Sequence, residues 1–494
     1  MATPNKFTPS QGAEPRQILI IHGWSDTSKS FRALANFLGA QGYEVRELWL
    51  GDYISLDDDV RVADVAKRMA EVIDQLQLTG ELNAHFDVIV HSTGGLVARA
   101  WLTSTYAQRA HACPMKRLIM LAPANHGSKL AAMGKSFLGR VVKGYNNWFH
   151  TGQAILNDLE LASDYQWELA QRDLLVGPKS SDSTAPSQYY YEAGVWPFVI
   201  TGTHSYTNFL RQIVNENGAD GTVRACAANL QAQGMTIDFR ETEPAKAMAI
   251  WPSRLQAAVP FAVLSTRTHG SIIDPDRAET QHQEDIAETD AEKAQLGELI
   301  LQALACPSFD EYQRIGQVWQ TITEETAQRA QATQTQSDER SMFHQYFQIN
   351  SAVIDDQGKA VQDYFLEFFA ETNQRNTESN VYMHGSVMET VKTNSLDTSL
   401  RNMYFDYTDL MNNYYKDLPK NTPAVLNLSI SAASPGANIN YFVREKVGAE
   451  MHVPLHFRDA TAECWLQKNA THYIHIIVPR IPNKDVFRLT RALS

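Results

Sequence analysis

Four cysteines in 494 residues, at positions 113, 226, 306 and 464, form no CxxC pair. Such isolated thiols exclude a disulfide framework and a structural zinc site, and they are expected to be buried. Positive charge is also short: 43 Lys and Arg face 56 Asp and Glu, a net charge of −13. A chain so acidic lacks the clustered cations that neutralise phosphates, so nucleic acid is not an expected partner. No stretch approaches the roughly 18 apolar residues needed to span a bilayer. The opening Met-Ala-Thr-Pro-Asn-Lys-Phe has no apolar core of a secretory signal. Any membrane contact is therefore expected to be peripheral. No metal-ligating cluster and no phosphate-cradling glycine loop stands out, so no cofactor is expected.

What is present has ordinary globular proportions, 44% hydrophobic and 20% charged residues. The length exceeds one core and predicts two domains. The first 340 residues carry almost all the acidity. Residues 341–494 hold 14 Lys and Arg against 16 Asp and Glu, and their end (Arg480, Lys484, Arg488, Arg491 against Asp485) is locally basic. A surface of that kind can approach an anionic membrane.

Short apolar strands are predicted at 17–21, 43–50, 87–90, 117–122, 197–201 and 259–264, alternating with helices at 30–38, 62–76, 287–305 and 309–327. That alternation implies a parallel, doubly wound α/β sheet. The pattern lapses over 133–191, where Trp148, Phe149, Tyr165, Trp167, Tyr189, Tyr190 and Tyr191 sit among polar residues. A lid-like insertion bordering a cleft is expected there. The Gln- and Thr-rich 330–340 reads as a linker. Beyond it, strands at 342–353, 425–430, 441–447 and 472–478 predict a mainly β, sandwich-like domain, with antiparallel pairing expected from the alternation at Tyr473-Ile474-His475-Ile476. The expected domains are thus 1–335 and 341–494.

The chemistry is concentrated at Val88-Ile89-Val90-His91-Ser92-Thr93-Gly94-Gly95. A β-branched run, a serine, two glycines and then a helix-forming stretch make a nucleophile elbow, the sharp turn that lifts a serine hydroxyl above an α/β-hydrolase sheet. Val90 departs from the small residue usual two positions before the serine. An activated serine needs a base, and the base needs an acid, in the chain order Ser, Asp or Glu, His. Asp220, between glycines after the 197–201 strand, and His269, directly after the 259–264 strand, fit that order and context. Glu216 is the local alternative acid, and His126 the alternative base. Asp274 and Asp276 follow His269 too closely. Backbone N–H groups of Thr93 and Trp24 are the expected oxyanion donors, with His22, Gly23, His91 and His126 expected along the cleft.

Ile21-His22-Gly23-Trp24, His91-Ser92-Thr93-Gly94-Gly95 and Ala122-Pro123-Ala124-Asn125-His126-Gly127-Ser128 resemble bacterial lipases. With Gly218-Ala219-Asp220-Gly221 and a β-rich C-terminal part, the chain resembles the PlaB-like bacterial phospholipases A. The form Gly221-Thr222-Val223 also resembles the lecithin–cholesterol acyltransferase group. The resemblance implies an α/β-hydrolase fold, phospholipase A and lysophospholipase A activity through Ser92, Asp220 and His269, and homo-oligomers. It also implies peripheral attachment at the bacterial outer membrane or cell surface. Phospholipids and lysophospholipids are the expected substrates. Acyl transfer and general carboxylesterase or triacylglycerol lipase activity are the enzymatic alternatives, and a catalytically inactive adaptor is the alternative of another class.

Overall fold

The computed structural model describes residues 17–107, 110–133, 152–178, 180, 188–206, 214–241, 243–276, 288–332, 341–369, 383–416, 424–441, 453–458 and 464–491. Two compact units divide the chain: Met1–Ala232 with Ser253–Gln345, and Gln233–Pro252 with Tyr346–Ser494.

Strands β1 (Ile18–Ile21), β2 (Leu48–Gly51), β3 (Phe86–His91), β4 (Met115–Leu121) and β5 (Trp196–Gly202) are followed in the chain by a hairpin, β6 (Ala232–Asp238) and β7 (Met248–Ile250), and then by β8 (Phe261–Leu264). The first unit's sheet is parallel throughout, in the order β2-β1-β3-β4-β5-β8. Its central strands are apolar on both faces because both are covered by helices: every residue of β3 is buried. On one face Ile18, Ile89, Ile119, Phe198 and Ile200 pack against helices that supply Phe37, Leu296, Ile300, Ile315 and Trp319. Those helices are α1 (Arg32–Ala40) and two later ones, Asp290–Ala305 and Phe309–Ala332. Helices α2 (Val62–Leu78) and α3 (Gly94–Thr105) pack against each other.

Between β4 and β5 lie α4 (Gln153–Leu159) and α5 (Asp164–Asp173); numbering on, Asp290–Ala305 is α6 and Phe309–Ala332 is α7. Of the aromatics that the structure describes in this segment, three face inward and Tyr165 and Tyr191 are half-buried. Trp167, Tyr189 and Tyr190 are buried, and Tyr190 donates its hydroxyl to Asp173 at 2.9 Å. Trp148 and Phe149 lie outside the described residues.

The structure departs from expectation in several places. Instead of a strand from 43, the chain makes a 3-10 turn at Val45–Glu47 and reaches β2 only at Leu48. The Glu47 carboxylate accepts the Glu44 N–H at 2.8 Å, and this cap holds the backbone in the turn. Helix α7 runs on to Ala332, so the 330–340 segment begins as helix; 333–340 lies outside the described residues. The expected strand at 441–447 also falls almost wholly outside them. The β6–β7 hairpin, which was not foreseen, belongs to the second unit although it precedes β8 in the chain. Strand-forming residues are visible locally, but the sheet they join is a tertiary choice.

The second unit holds a mixed six-stranded sheet, an antiparallel three-stranded one and a short antiparallel pair, β14 (Ile439–Asn440) with β17 (Ile481–Pro482). The larger contains β6, β7, β9 (Tyr346–Asp355), β11 (Met388–Thr393), β12 (Leu400–Asp406) and β16 (Thr471–Val478). The three-stranded sheet contains β10 (Tyr364–Phe369), β13 (Ala424–Ala432) and β15 (Val453–Arg458). Their facing side chains form one core: Phe405 of β12 stacks on Phe347 at 4.9 Å and meets Phe368 of β10 edge-on at 5.1 Å. Strand β16 pairs with β9 in parallel, which corrects the antiparallel expectation. Alternating burial reports which face a residue occupies and carries no information on strand direction.

Candidate active site

The end of β3 delivers Ser92 into a left-handed backbone conformation, φ +53°, and α3 starts two residues later. That conformation is costly for a non-glycine residue, and its surroundings hold it in place. Ser92 N–H donates to the Leu121 carbonyl at 3.1 Å, and the Ser92 carbonyl accepts from Gly95 and Ala124 at 3.1 and 3.2 Å. The close approach usually permitted by a small residue at position 90 is permitted elsewhere. A Cβ on Gly23 would lie 2.7 Å from Ser92 Cβ, and one on Gly94 would lie 2.8 Å from the Ile21 carbonyl oxygen. Val90 itself is fully buried in the sheet.

Asp220 sits in a turn with Gly218 at φ +67° and Gly221 at φ +93°. Its Oδ1 accepts the N–H groups of Thr222 and Val223 at 2.9 and 2.7 Å. Its Oδ2 lies 2.8 Å from His269 Nδ1. A carboxylate only accepts, so Nδ1 carries a proton, and in the neutral ring Nε2 presents a lone pair. Asp220 is fully buried while Ser92 and His269 each keep 8% exposure, which leaves the serine and the imidazole reachable and the acid sealed. Trp24, Ser92, Thr93, Ser128, Leu130 and His269 line one cavity of about 130 Å³, with Leu159, Tyr206, Val214 and Thr222 completing its wall. Thr93 adds a buried hydroxyl with no hydrogen-bond partner.

The remaining expected residues stand behind this cavity. His91 donates from Nε2 to the His269 carbonyl at 3.1 Å, and the two rings lie 4.6 Å apart. Burial, and then the neighbouring His269, push the His91 pKa well below 6.5, so the pair does not carry two charges. His22 donates from Nδ1 to the Gly23 carbonyl at 2.7 Å and accepts the Tyr53 N–H at Nε2, 3.2 Å away; its ring stacks on that of Tyr53. It thereby fixes the loop carrying Gly23 and Trp24. His126 is fully buried, with its N–H on the Ala227 carbonyl at 3.0 Å. Glu216, the alternative acid, is held by Arg224 at 2.7 Å.

Ser128, two residues after His126, is the member of its segment that reaches the cavity, and it donates to the Thr222 carbonyl at 2.7 Å. Sequence reasoning singled out that segment but not Ser128. Leu130, Leu159, Tyr206 and Val214 were missed because nothing local marks a wall residue. One further device was invisible. Arg99 of α3, fully buried, forms a two-pronged ion pair with Asp173 of α5 at 2.8 and 2.9 Å and donates to the Asn125 carbonyl at 2.6 Å. It ties the elbow helix to α5 and to the Asn125 segment.

Comparison with solved structures bears on this arrangement. The phospholipase PlaB from Legionella pneumophila is similar over 98% of this chain and 97% of its own, at 26% identity and a TM-score of 0.75. Its complex with thio-NAD matches over 97% of each chain, at 26% identity and a TM-score of 0.74. These likenesses support a PlaB-like phospholipase family for this chain. The chain is a lipolytic hydrolase of the carboxylic ester class, built on an α/β-hydrolase domain. Residues 2–162 match a sequence family described as "Domain of unknown function (DUF7379)". Among curated proteins, none matches. In this PlaB-like chain all three expected triad residues lie in the first unit.

Proposed function

We propose that the chain is a phospholipase A and lysophospholipase A that works through Ser92, His269 and Asp220. The observation that carries this reading is that a strained, reachable Ser92 lines one cavity with His269, whose ring is held 2.8 Å from the Asp220 carboxylate. His269 Nε2 takes the Ser92 Oγ proton as the oxygen attacks the fatty-acyl carbonyl. The charge that develops on the carbonyl oxygen is met by the N–H groups of Trp24 and Thr93, each typically worth about 3–4 kcal/mol in such a role. Collapse expels the glycerol alkoxide, which receives the proton from the imidazolium. The acyl group remains on Ser92 until water, deprotonated by His269, releases the fatty acid and restores the serine. Asp220 holds the imidazole in the working tautomer and stabilises its cation.

Contact with lipid surfaces is peripheral in this reading, at the outer membrane or cell surface, with the chain acting as a homo-oligomer. No described helix is long and apolar enough to cross a membrane. In the second unit Val486, Phe487 and Leu489 are exposed next to Lys484 and Arg491. Arg480 contributes less than its charge suggests, because it is paired with Asp355 at 2.8 Å, and Arg488 is paired with Asp485.

The test is mass spectrometry of the lipid products from phospholipid and lysophospholipid vesicles, wild type beside Ser92→Ala, with a fluorophosphonate label on Ser92. Release of free fatty acid by the wild type alone supports the reading. Equal release by Ser92→Ala refutes it.

A further inference from the structure

The first unit contains a second, larger cavity, about 480 Å³, that shares no lining residue with the Ser92 cavity. It lies between the edge strand β2 and helix α2, floored by Leu19 and Ile21 of β1 and walled by Met69 and Leu76 of α2. Its size falls within the roughly 300–1,000 Å³ of small-molecule sites. Ile54 and Val72 on its border are 68% and 38% exposed, so the apolar lining continues to solvent. A soluble surface seldom leaves such a concavity open without a use for it.

Two polar atoms break the apolar wall. Trp49 Nε1 and Tyr53 Oη are both buried and both lack a hydrogen-bond partner, and both residues line the cavity. An unmade hydrogen bond on a buried donor costs on the order of 1–3 kcal/mol, and each such group calls for a partner. The indole N–H only donates and the tyrosine hydroxyl can donate, so one acceptor chemistry completes both. Arg68 stands on the same wall, exposed and paired with Glu71. The carboxylates that line the site are already engaged: Asp52 with the N–H and hydroxyl of Ser28 at 2.7 and 2.6 Å, and Asp64 with the Arg61 N–H at 3.0 Å.

We propose that this cavity binds one long acyl chain, as a fatty acid or a lysolipid, with its carbonyl or carboxyl oxygen on Trp49 Nε1–H and Tyr53 Oη–H. The aliphatic floor and helix wall take the chain, and the two donors fix the end that carries oxygen. The site is separate from the Ser92 cavity, and the proposal stands on the cavity's own chemistry without any assumption about the reaction. The Tyr53 ring that walls the cavity is also the ring stacked on His22, 4.4 Å away.

The experiment uses the full-length Ser92→Ala protein, so that no ligand is consumed, and follows the fluorescence of cis-parinaric acid. One probe per chain is expected, displaced by palmitate, by 1-palmitoyl lysophosphatidylcholine below its micelle concentration, or by both; which of them displaces it identifies the free or the esterified chain. Met69→Trp and Leu76→Trp, each filling the cavity from α2, are expected to weaken binding at least tenfold. Tyr53→Phe, which removes one donor, is expected to weaken it about threefold to tenfold. Leu130→Trp, which fills the Ser92 cavity, is expected to leave probe binding intact. The proposal is overturned by an absence of saturable binding. It is equally overturned if Met69→Trp and Leu76→Trp melt like the parent and bind unchanged, or if Leu130→Trp abolishes binding and they do not. Should one tryptophan variant fail to fold, the other and Tyr53→Phe decide.

Discussion

Asp220 and His269 are joined twice, by carboxylate to ring and by carbonyl to backbone N–H, both at 2.8 Å. The second bond fixes the His269 loop independently of the first. Asp220→Asn should therefore preserve the loop, because a turned amide still offers its oxygen to the Thr222 and Val223 N–H groups. What it loses is the acceptor that keeps the proton on Nδ1. A fall of about 10⁴ in kcat is expected, with the melting temperature close to wild type. Ser92→Ala and His269→Asn should cost about as much singly as together. The check is hydrolysis of a p-nitrophenyl ester alongside thermal melts. Full activity in His269→Asn would remove His269 from the reaction.

Gly23 carries no chemistry of its own, yet a methyl group there would stand 2.7 Å from Ser92 Cβ and 3.3 Å from its Oγ. The β3 end and the β1 loop are both fixed by the sheet, so the clash displaces the serine or the Trp24 N–H. Gly23→Ala is expected to reduce kcat/KM at least a hundredfold, the scale of a misplaced reacting group. The folded fraction measured by circular dichroism should be preserved. Activity within threefold of wild type would show that the loop yields.

How much of this was legible follows from what each signal encodes. Ser92 directly follows β3, His269 lies in the loop after β8, and Asp220 sits in a glycine-flanked turn beyond β5, all features that local composition marks. The parallel sheet was likewise readable, since a strand such as Phe86–His91, buried on both faces, has no polar alternation. Partner choice was not. The hairpin at 232–250 was not read from the sequence, and the packing of Met235 and Ile237 with Phe347 and Ile349 is what assigns it to the second unit. The direction of β16 was hidden for the same reason. His126 and Ser128 lie two residues apart in a turn whose inward side is set by Gly127 at φ +91°, which no periodicity reveals.

The Arg99–Asp173 pair has no exposure on either side chain. Removing one partner strands the other's charge in the interior, at a cost of about 3–5 kcal/mol. Asp173→Ala should thus lower the melting temperature of the first unit by roughly 10 °C and loosen the α5 contact with the elbow helix. Arg99→Met with Asp173→Leu should lie closer to wild type than either single change, because no charge is left alone. Calorimetry of the four proteins closes the cycle. Additive losses in the double variant would show that the pair is not coupled.

Burial pushes the Asp158 carboxyl up from 3.8 to about 6. The folded chain therefore keeps a proton that the unfolded chain releases, and stability falls as pH rises from about 4 to about 6. His91 has the opposite sign: its pKa is depressed well below 6.5, so the unfolded chain takes up the proton first and stability falls as pH drops below 6.5. An asparagine at 158 still accepts the Val62 N–H that Oδ2 now accepts at 3.2 Å. Asp158→Asn should raise the melting temperature at pH 7.5 and have little effect near pH 4, leaving the acid-side loss exposed. An equal gain at both pH values would assign the effect to packing instead of ionisation.

Phe487 and Leu489 are 76% and 88% exposed, beyond the last strand pairing at Ile481–Pro482. The apolar residues just upstream are spoken for: Ile476 and Val478 are buried in the core of the second unit. The exposed pair, flanked by Lys484 and Arg491, has the composition of an interfacial contact, in which apolar side chains enter the acyl boundary and cations meet anionic headgroups. Phe487→Ser with Leu489→Ser removes that apolar area and touches neither the Arg480–Asp355 pair nor any residue of the Ser92 cavity. Sedimentation with vesicles of 30% anionic lipid should show at least a fivefold weaker partition, on the scale of about 25 cal/mol for each Å² of apolar surface no longer buried. Hydrolysis of a water-soluble p-nitrophenyl ester should stay at the wild-type rate. If vesicle binding is unchanged while the ester rate holds, Phe487 and Leu489 make no lipid contact.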